Sequence, residues 1–131
     1  MNILLTGATG FIGQALVLEL LQQGFFLTIV LRKKSNLFAD NINQIIVGDL
    51  NNDIDWSSIL NKIDCIIHLA GKAHVIDQTK VSALDEFRKI NTELTLNLAK
   101  QAVAAGVERF IFLSSIGVNG NQNNQPFLEI D

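Results

Sequence analysis

The stretch "TGATGFIG" at residues 6–13 is the most informative motif in this chain. It follows an apolar run, "NILLT" (2–6), and opens a helical pattern, "FIGQALVLELLQQG" (11–24), so it marks a strand-to-helix turn. Three glycines in it have G-x-x-G-x-x-G spacing: Gly7, Gly10 and Gly13. In this context the first allows a tight turn, the second lets backbone approach a pyrophosphate, and the third lets the helix pack on the sheet. The stretch predicts a dinucleotide-binding turn at a helix N-terminus; glycines that serve packing alone are the alternative.

The rest of the chain continues the alternation of apolar runs and helical patterns. A long helix is expected over about 82–105, with Ser82 and Asp85 at capping-box spacing, and a short helix within 50–63. The order predicts one α/β domain over residues 1–131: a doubly wound parallel sheet of about five strands in three α/β/α layers, the Rossmann arrangement. The five runs are rich in Ile, Val, Leu and Phe, as in strands buried on both faces: 2–6, 25–31, 44–48, 65–70 and 109–114.

Composition excludes several classes of function. Apolar residues make up 48% and charged residues 18% of the chain, which predicts a folded protein. The net charge of −3 gives no support to nucleic-acid binding or to a polybasic membrane surface. Neither a signal peptide nor an apolar run of membrane-spanning length is visible, so we expect a cytoplasmic protein. The single cysteine, Cys65, is expected to be a core thiol, and we assign no metal site.

The end of the second apolar run bears on the choice of dinucleotide. An acidic residue there commonly binds the ribose 2′-OH of NAD, whereas an arginine accommodates a 2′-phosphate. This run ends "IVLRKKSN", with no acid at Leu31 or Arg32 and with Lys33 and Lys34 following. The basic run favours NADP(H) over NAD(H), with Arg32 as the phosphate ligand. A solvated basic turn that discriminates poorly is the alternative.

Other polar and small residues follow the remaining runs. Asp49 comes after the third run, where its carboxylate could accept a hydrogen bond from an adenine amino group. His68 lies within the fourth run and is expected to be packed rather than catalytic, and His74 is expected on the surface. Asn91 shares a helical stripe with apolar residues and is expected to be a hydrogen-bonded structural residue between helix and strand. That stripe consists of Leu84, Phe87, Leu94 and Leu98.

These stretches together resemble the extended short-chain dehydrogenase/reductase family, in its NAD-dependent epimerase/dehydratase group. The resemblance is carried in order by "LLTGATGFIG", "GDL", "CIIHLAG", "FRKINTELTLNLAKQA" and "RFIFLSSIGVNG", across nearly the whole chain. It is greatest for the UDP-glucose 4-epimerase-like proteins and the related 4-keto-sugar reductases. The resemblance implies a nucleotide-sugar substrate and hydride transfer between a nicotinamide and the sugar's C4.

The resemblance also implies roles for individual residues. Ser115 matches the catalytic serine that hydrogen-bonds the reacting sugar oxygen, and Asn91 matches a structural asparagine. The family's Tyr-x-x-x-Lys would lie beyond residue 131, and the chain has no tyrosine, so we expect cofactor binding without turnover by these residues alone. The implied cofactor-binding residues are Gly7, Gly10, Phe11, Ile12, Gly13, Asp49, Leu50, Leu69, Ala70, Gly71 and Ser114.

Two other functions remain open on the sequence. One is a non-catalytic module that binds or senses NAD(P), and the other is a reductase of non-sugar ketones. Among nucleotide-sugar enzymes, the basic run at 32–34 favours a reductase over an epimerase, because NADPH is the usual donor for reduction. The resemblance also implies a possible homodimer formed through the long helix and its neighbour.

Overall fold

The computed structural model describes residues 1–39, 41–51, 53–72, 82–120 and 125–128. Within these residues the chain forms a five-stranded, fully parallel sheet with the order β3-β2-β1-β4-β5. The strands are β1 (Asn2–Thr6), β2 (Phe26–Leu31), β3 (Asn43–Ile46), β4 (Cys65–His68) and β5 (Arg109–Phe112). The helices are α1 (Phe11–Gln22), α2 (Ser82–Arg88) and α3 (Leu94–Ala104), and a π-helical segment, Lys89–Glu93, joins α2 to α3.

This architecture is the predicted doubly wound α/β fold. β1 is the central strand: Leu4 pairs with Thr28 of β2 on one side and with Ile66 of β4 on the other. The strand order reverses direction at β1, since β2 and β3 extend to one side and β4 and β5 to the other. Ligands of such sheets bind at the carboxyl ends of the strands beside this reversal.

The sheet is covered on both faces, as expected for a parallel sheet with apolar strands. On one face, α1 buries Val17 and Leu20 against Ile3, Leu5 and Ile29. On the other face, alternate strand residues and α3 enclose a second apolar cluster: Leu4, Val30, Trp56, Leu60, Ile66, Leu94, Leu98 and Ala102. Cys65 is buried in the first cluster, as predicted, and burial raises the pKa of its thiol.

The segment before β4 differs from the sequence expectation. Its described residues form turns, with one helical bond from the Leu60 N–H to the Trp56 carbonyl (2.8 Å), rather than a short helix. Side chains of α3 hold this backbone instead: the Gln101 carboxamide accepts from Trp56 N–H (2.7 Å) and donates to the Ile54 carbonyl (3.0 Å). Because a side chain of α3 pairs with these backbone N–H and C=O groups, the groups are satisfied without a helix in this segment.

Two further expectations are corrected. Leu84 does not share the buried stripe of the long helix: its side chain is 56% exposed, whereas Leu94 and Leu98 are fully buried. The π-helical segment between α2 and α3 adds a residue to one turn and so rotates the two parts of the stripe relative to each other. The edge strands β3 and β5 are not buried on both faces either, since Ile46, Ile111 and Phe112 are about half exposed. No helix among the described residues is long and apolar enough to cross a membrane.

Candidate functional site

The turn between β1 and α1 is built around two glycines in close contact. Gly7 has a left-handed backbone (φ 74°). A Cβ there would lie 2.7 Å from the carbonyl carbon of Leu69, the residue directly after β4. A Cβ on Gly13 would lie 2.2 Å from the Gly7 carbonyl oxygen. Real Cβ atoms do not approach so closely, so both positions require glycine. These two predicted roles, the tight turn and the close packing of the helix, are confirmed as backbone geometry.

The N-terminus of α1 offers hydrogen-bond donors beside this turn. Gly10 is the N-cap residue, with extended backbone and no side-chain cap. The first amides of a helix have no acceptor within the helix, so the N–H groups of Phe11, Ile12 and Gly13 begin α1 without one. Phe11 is 95% exposed and Ile12 is half exposed, which leaves the approach to these amides uncovered among the described residues. Such a helix end attracts anions through its donors and its dipole.

The ends of β2 and β3 bring the predicted adenine-side residues to the same edge of the sheet. Arg32 directly follows β2 and is exposed, as are Lys33 and Lys34. The Val47 N–H donates to the Leu31 carbonyl (3.0 Å), so the exit of β3 stays beside the exit of β2. Gly48 then turns the chain with φ 72°, after which Asp49 is exposed and Leu50 packs against the second apolar cluster.

The exit of β4 is held by a buried hydrogen-bond network. His68 is 1% exposed, and its Nδ1 lies 2.7 Å from the Thr6 hydroxyl, while its Nε2 lies 3.0 Å from the Thr95 hydroxyl. The Thr6 hydroxyl also accepts from the Ala70 N–H (3.2 Å). Burial lowers the pKa of His68 to about 4, so the imidazole is neutral at neutral pH. The prediction of a packed histidine is confirmed; His74 lies outside the described residues.

Asn91 lies in the π-helical segment and binds the backbone beyond β4. Its carboxamide accepts from the Lys72 N–H (2.7 Å) and donates to the Lys72 carbonyl (2.9 Å). A Cβ on Gly71 would lie 3.3 Å from the Asn91 Oδ1, so the small residue lets the asparagine approach. Lys72 in addition forms an ion pair with Glu86 of α2. The expected structural asparagine between helix and strand is present, although its partner lies just past the strand.

The exit of β5 carries the two predicted serines. The Leu113 N–H donates to the His68 carbonyl (3.2 Å), which keeps this exit beside that of β4. Ser114 and Ser115 follow, and both are exposed. The Ser115 hydroxyl accepts from the Gly117 N–H (3.2 Å) and caps a 3₁₀ turn, Ile116–Asn119. The Ser115 hydroxyl acts only as an acceptor in this hydrogen bond, so its O–H remains available to donate a hydrogen bond to another group.

The structure therefore brings the predicted residues to one edge, since each follows the carboxyl end of a parallel strand or opens α1. Sequence reasoning missed Thr6 and Thr95, which bind the two nitrogens of His68. A signal for Thr95 was available: it lies four residues after Asn91, and its hydroxyl donates to the Asn91 carbonyl (3.1 Å). Thr6 had no comparable signal, since a threonine at the end of a strand is common.

A glycine turn of this geometry at the centre of a doubly wound sheet is the Rossmann arrangement, a fold in which dinucleotides bind at such a turn. The chain belongs to the NAD dependent epimerase/dehydratase family, whose sequence profile matches residues 3–131. It is 42% identical over 120 residues to a UDP-glucose 4-epimerase of Vibrio cholerae, covering 91% of this chain and 36% of that protein. It is 33% identical over 140 residues to a UDP-glucose 4-epimerase of Klebsiella pneumoniae, covering 98% of this chain and 99% of that protein.

A solved structure supports the same assignment. MoeE5 in complex with UDP-glucose and NAD superposes with a TM-score of 0.78 at 32% identity, over 94% of this chain and 39% of that chain. This chain thus spans about a third of the Vibrio relative and about two fifths of MoeE5. Proteins named as 3-beta-hydroxysteroid dehydrogenases also match, so the family includes oxidoreductases of substrates other than sugars.

The expected preference for NADP(H) over NAD(H) finds no support in these comparisons. Several similar solved structures are described with NAD bound. The basic run after β2 is exposed. An exposed arginine is compatible with either dinucleotide, because its side chain can turn into solvent when no 2′-phosphate is present.

Proposed function

We propose that these residues form the dinucleotide-binding part of a nucleotide-sugar epimerase or reductase. The observation that carries the proposal is the turn from Gly7 to Gly13, in which residues 7 and 13 have no room for a Cβ and which leads into the N-terminus of α1 without a side-chain cap. Exposed backbone donors at such a helix end fit a pyrophosphate. The similarity to UDP-glucose 4-epimerases supports the sugar-nucleotide substrate class.

The bound dinucleotide would supply the hydride acceptor and donor at the sugar's C4. The chain's own residues bind and orient. The N–H groups at the start of α1 would hold the pyrophosphate, Asp49 and Leu50 would border the adenine, and Arg32 would bind at the adenine ribose. Leu69, Ala70 and Gly71 would present backbone to the nicotinamide side, and Ser114 would bind near its ribose. The Ser115 hydroxyl would donate a hydrogen bond to the reacting sugar oxygen and so orient it.

Proton transfer at that oxygen needs a group that these residues do not contain. The 131 residues include no tyrosine, which is the acid–base residue expected from the resemblance. We therefore propose that the chain alone binds dinucleotide without turnover. The second candidate function is a non-catalytic module that binds or senses NAD(P).

Titration of the purified chain with NADH tests the binding proposal. Binding is expected to shift and enhance the nicotinamide fluorescence and to saturate at one dinucleotide per chain; no saturable binding would contradict the proposal. Conversion of UDP-glucose by the chain alone would contradict the absence of turnover. To separate enzyme from sensor, the reading frame beyond residue 131 is examined: a Tyr-x-x-x-Lys favours the enzyme, and its absence favours the binding module.

A further inference from the structure

His68 is a buried titratable side chain for which the site described above gives no role. It is surrounded by apolar rings: its imidazole stacks on Phe112 at 5.8 Å between centroids and lies 6.2 Å from Phe110. Both of its nitrogens nevertheless have hydroxyl partners, Thr6 on one side and Thr95 on the other. A neutral imidazole donates with one nitrogen and accepts with the other, so the partners determine which tautomer is present.

The direction of each hydrogen bond follows from the outer contacts of the two threonines. The single proton of the Thr95 hydroxyl is donated to the Asn91 carbonyl. The hydroxyl oxygen therefore accepts a hydrogen bond from a protonated His68 Nε2. The unprotonated Nδ1 then accepts from the Thr6 hydroxyl, which in turn accepts from the Ala70 N–H. Every donor and acceptor in this arrangement is used once in a consistent direction. The neutral Nε2–H tautomer is the one that satisfies it.

These hydrogen bonds form a circuit that begins and ends at the same segment, Ala70–Lys72. It runs from the Ala70 N–H through Thr6, His68 and Thr95 to the Asn91 carbonyl. The Asn91 carboxamide then binds both backbone groups of Lys72. Both ends of the circuit therefore hold Ala70–Lys72, the exit of β4 that packs against the Gly7 turn. The circuit crosses from β1 through β4 to the π-helical segment.

We propose that His68 is a positioning residue for the dinucleotide: by holding one tautomer between Thr6 and Thr95, it fixes the Ala70–Lys72 backbone against the Gly7 turn. This inference rests on the proposed dinucleotide function. In the opposite tautomer, Nδ1–H would donate to the Thr6 hydroxyl, whose own proton would lose its acceptor in a buried site. A buried donor without an acceptor costs free energy, so the network that holds the Ala70–Lys72 backbone would be weaker in that tautomer.

Thr95→Val tests the proposal with little change in side-chain shape, because it removes the acceptor of the Nε2 proton together with the donor to the Asn91 carbonyl. The expected result is NADH binding weakened by about five- to tenfold, the effect of one lost hydrogen bond in a positioned site. Thr95→Ser restores the hydroxyl and is expected to restore the affinity. Thr92→Val, at an exposed threonine three residues earlier, is the matched control and is expected to bind as the unchanged chain does.

The tautomer itself is measured by nitrogen-15 NMR of His68. The expected spectrum shows a protonated Nε2 and a bare Nδ1 in the unchanged chain, and a mixture of tautomers in Thr95→Val; a purely space-filling histidine would show no such change. Equal NADH affinity of Thr95→Val and the unchanged chain, or a protonated Nδ1 in the unchanged chain, overturns the inference. If the unchanged chain fails to bind NADH, the proposed function fails and the positioning role fails with it. If the unchanged chain binds NADH while its His68 is a mixture of tautomers, the positioning role alone is overturned.

Discussion

The carbonyl oxygen of Gly7 faces Gly13 so closely that a Cβ on residue 13 would lie 2.2 Å from it. The first turn of α1 and the end of β1 are thus one packed unit, not two elements joined by a loose loop. Gly10, between them, is different: a Cβ there would meet the same oxygen at 3.2 Å, a contact that small shifts relieve. The three glycines of the motif therefore separate into two that the fold requires and one that the ligand would require.

Substitution distinguishes these two roles. Gly13→Ala is expected to destroy the folded state, because the added carbon has no room. Gly10→Ser is expected to change the free energy of unfolding by less than about 1 kcal/mol, since serine is a preferred N-cap residue. It should nevertheless weaken NADH binding at least about tenfold, because its side chain stands where a pyrophosphate would approach. Urea unfolding followed by Trp56 fluorescence gives the stability, and NADH titration gives the affinity. Normal NADH binding by Gly10→Ser would show that the ligand does not approach residue 10.

Arg32 is expected to act on the 2′-phosphate and not on the rest of the dinucleotide. Arg32→Ala should weaken NADPH binding by about tenfold through the loss of a charge-assisted contact, while leaving NADH binding within about twofold. The effect should diminish at high salt. Arg109→Ala is the matched control, because Arg109 is also exposed but begins β5, at the opposite edge of the sheet. An equal loss of NADH and NADPH affinity in Arg32→Ala would contradict a role in discrimination.

The burial of His68 predicts a pH dependence of stability. The pKa of this side chain is about 4 in the folded chain, against 6.5 for an unburied histidine. Between these values the unfolded chain binds a proton that the folded chain does not, so the free energy of unfolding falls as the pH is lowered from 6.5 to 4. Above this range the contribution is constant. A shift of this size corresponds to a loss on the order of 3 kcal/mol, measured by urea unfolding at a series of pH values.

The assignment of that slope to His68 has its own controls. His68→Gln should remove the contribution, whereas His74→Gln, at the only other histidine, should leave it in place. If His68→Gln does not fold, the proton NMR titration of the imidazole in the unchanged chain measures the pKa directly. A His68 pKa near 6.5 would contradict the structural account, because it would mean that water reaches the ring.

Ser115 is expected to affect turnover and not cofactor affinity. In a full-length protein that carries the Tyr-x-x-x-Lys, Ser115→Ala should lower kcat by roughly a hundredfold through loss of a donor to the reacting oxygen. The Kd for NADH should stay the same. Ser115→Thr keeps a hydroxyl that can both cap the following turn and donate to the reacting oxygen, so it is expected to retain turnover. A collapse of NADH binding in Ser115→Ala would instead mark the serine as structural.

Much of the fold was predictable because apolar patterns in this chain follow the physics of a parallel sheet. β1, β2 and β4 are buried and were identified from continuous apolar runs, and the sheet order follows from the chain order of a doubly wound fold. Glycine spacing located the turn, since only glycine satisfies its backbone. These features are encoded locally, within a few residues of one another.

The features that could not be predicted depend on contacts between distant parts of the chain. Nothing near Trp56 indicates that Gln101 would satisfy its backbone N–H, so a short helix was expected where turns occur. Similarly, the inserted residue of the π-helical segment turns Leu84 to solvent, although its spacing fits the apolar stripe. His68 could be predicted as buried, but its two hydroxyl partners come from β1 and α3.

The central position of β1 has a consequence for the order of folding. Asn2 pairs with Phe26 after a single intervening helix, whereas Ile3 pairs with Cys65 across a much longer loop. Loop closure costs more entropy as separation grows, so we expect β1, α1 and β2 to associate before β4 joins them. Pulse-labelled hydrogen exchange should then protect Leu27 and Ile29 earlier than Ile66 and Ala70. The turn from Gly7 to Gly13 would then be assembled early, but one side of it would stay open until the chain returns and packs Leu69 against Gly7.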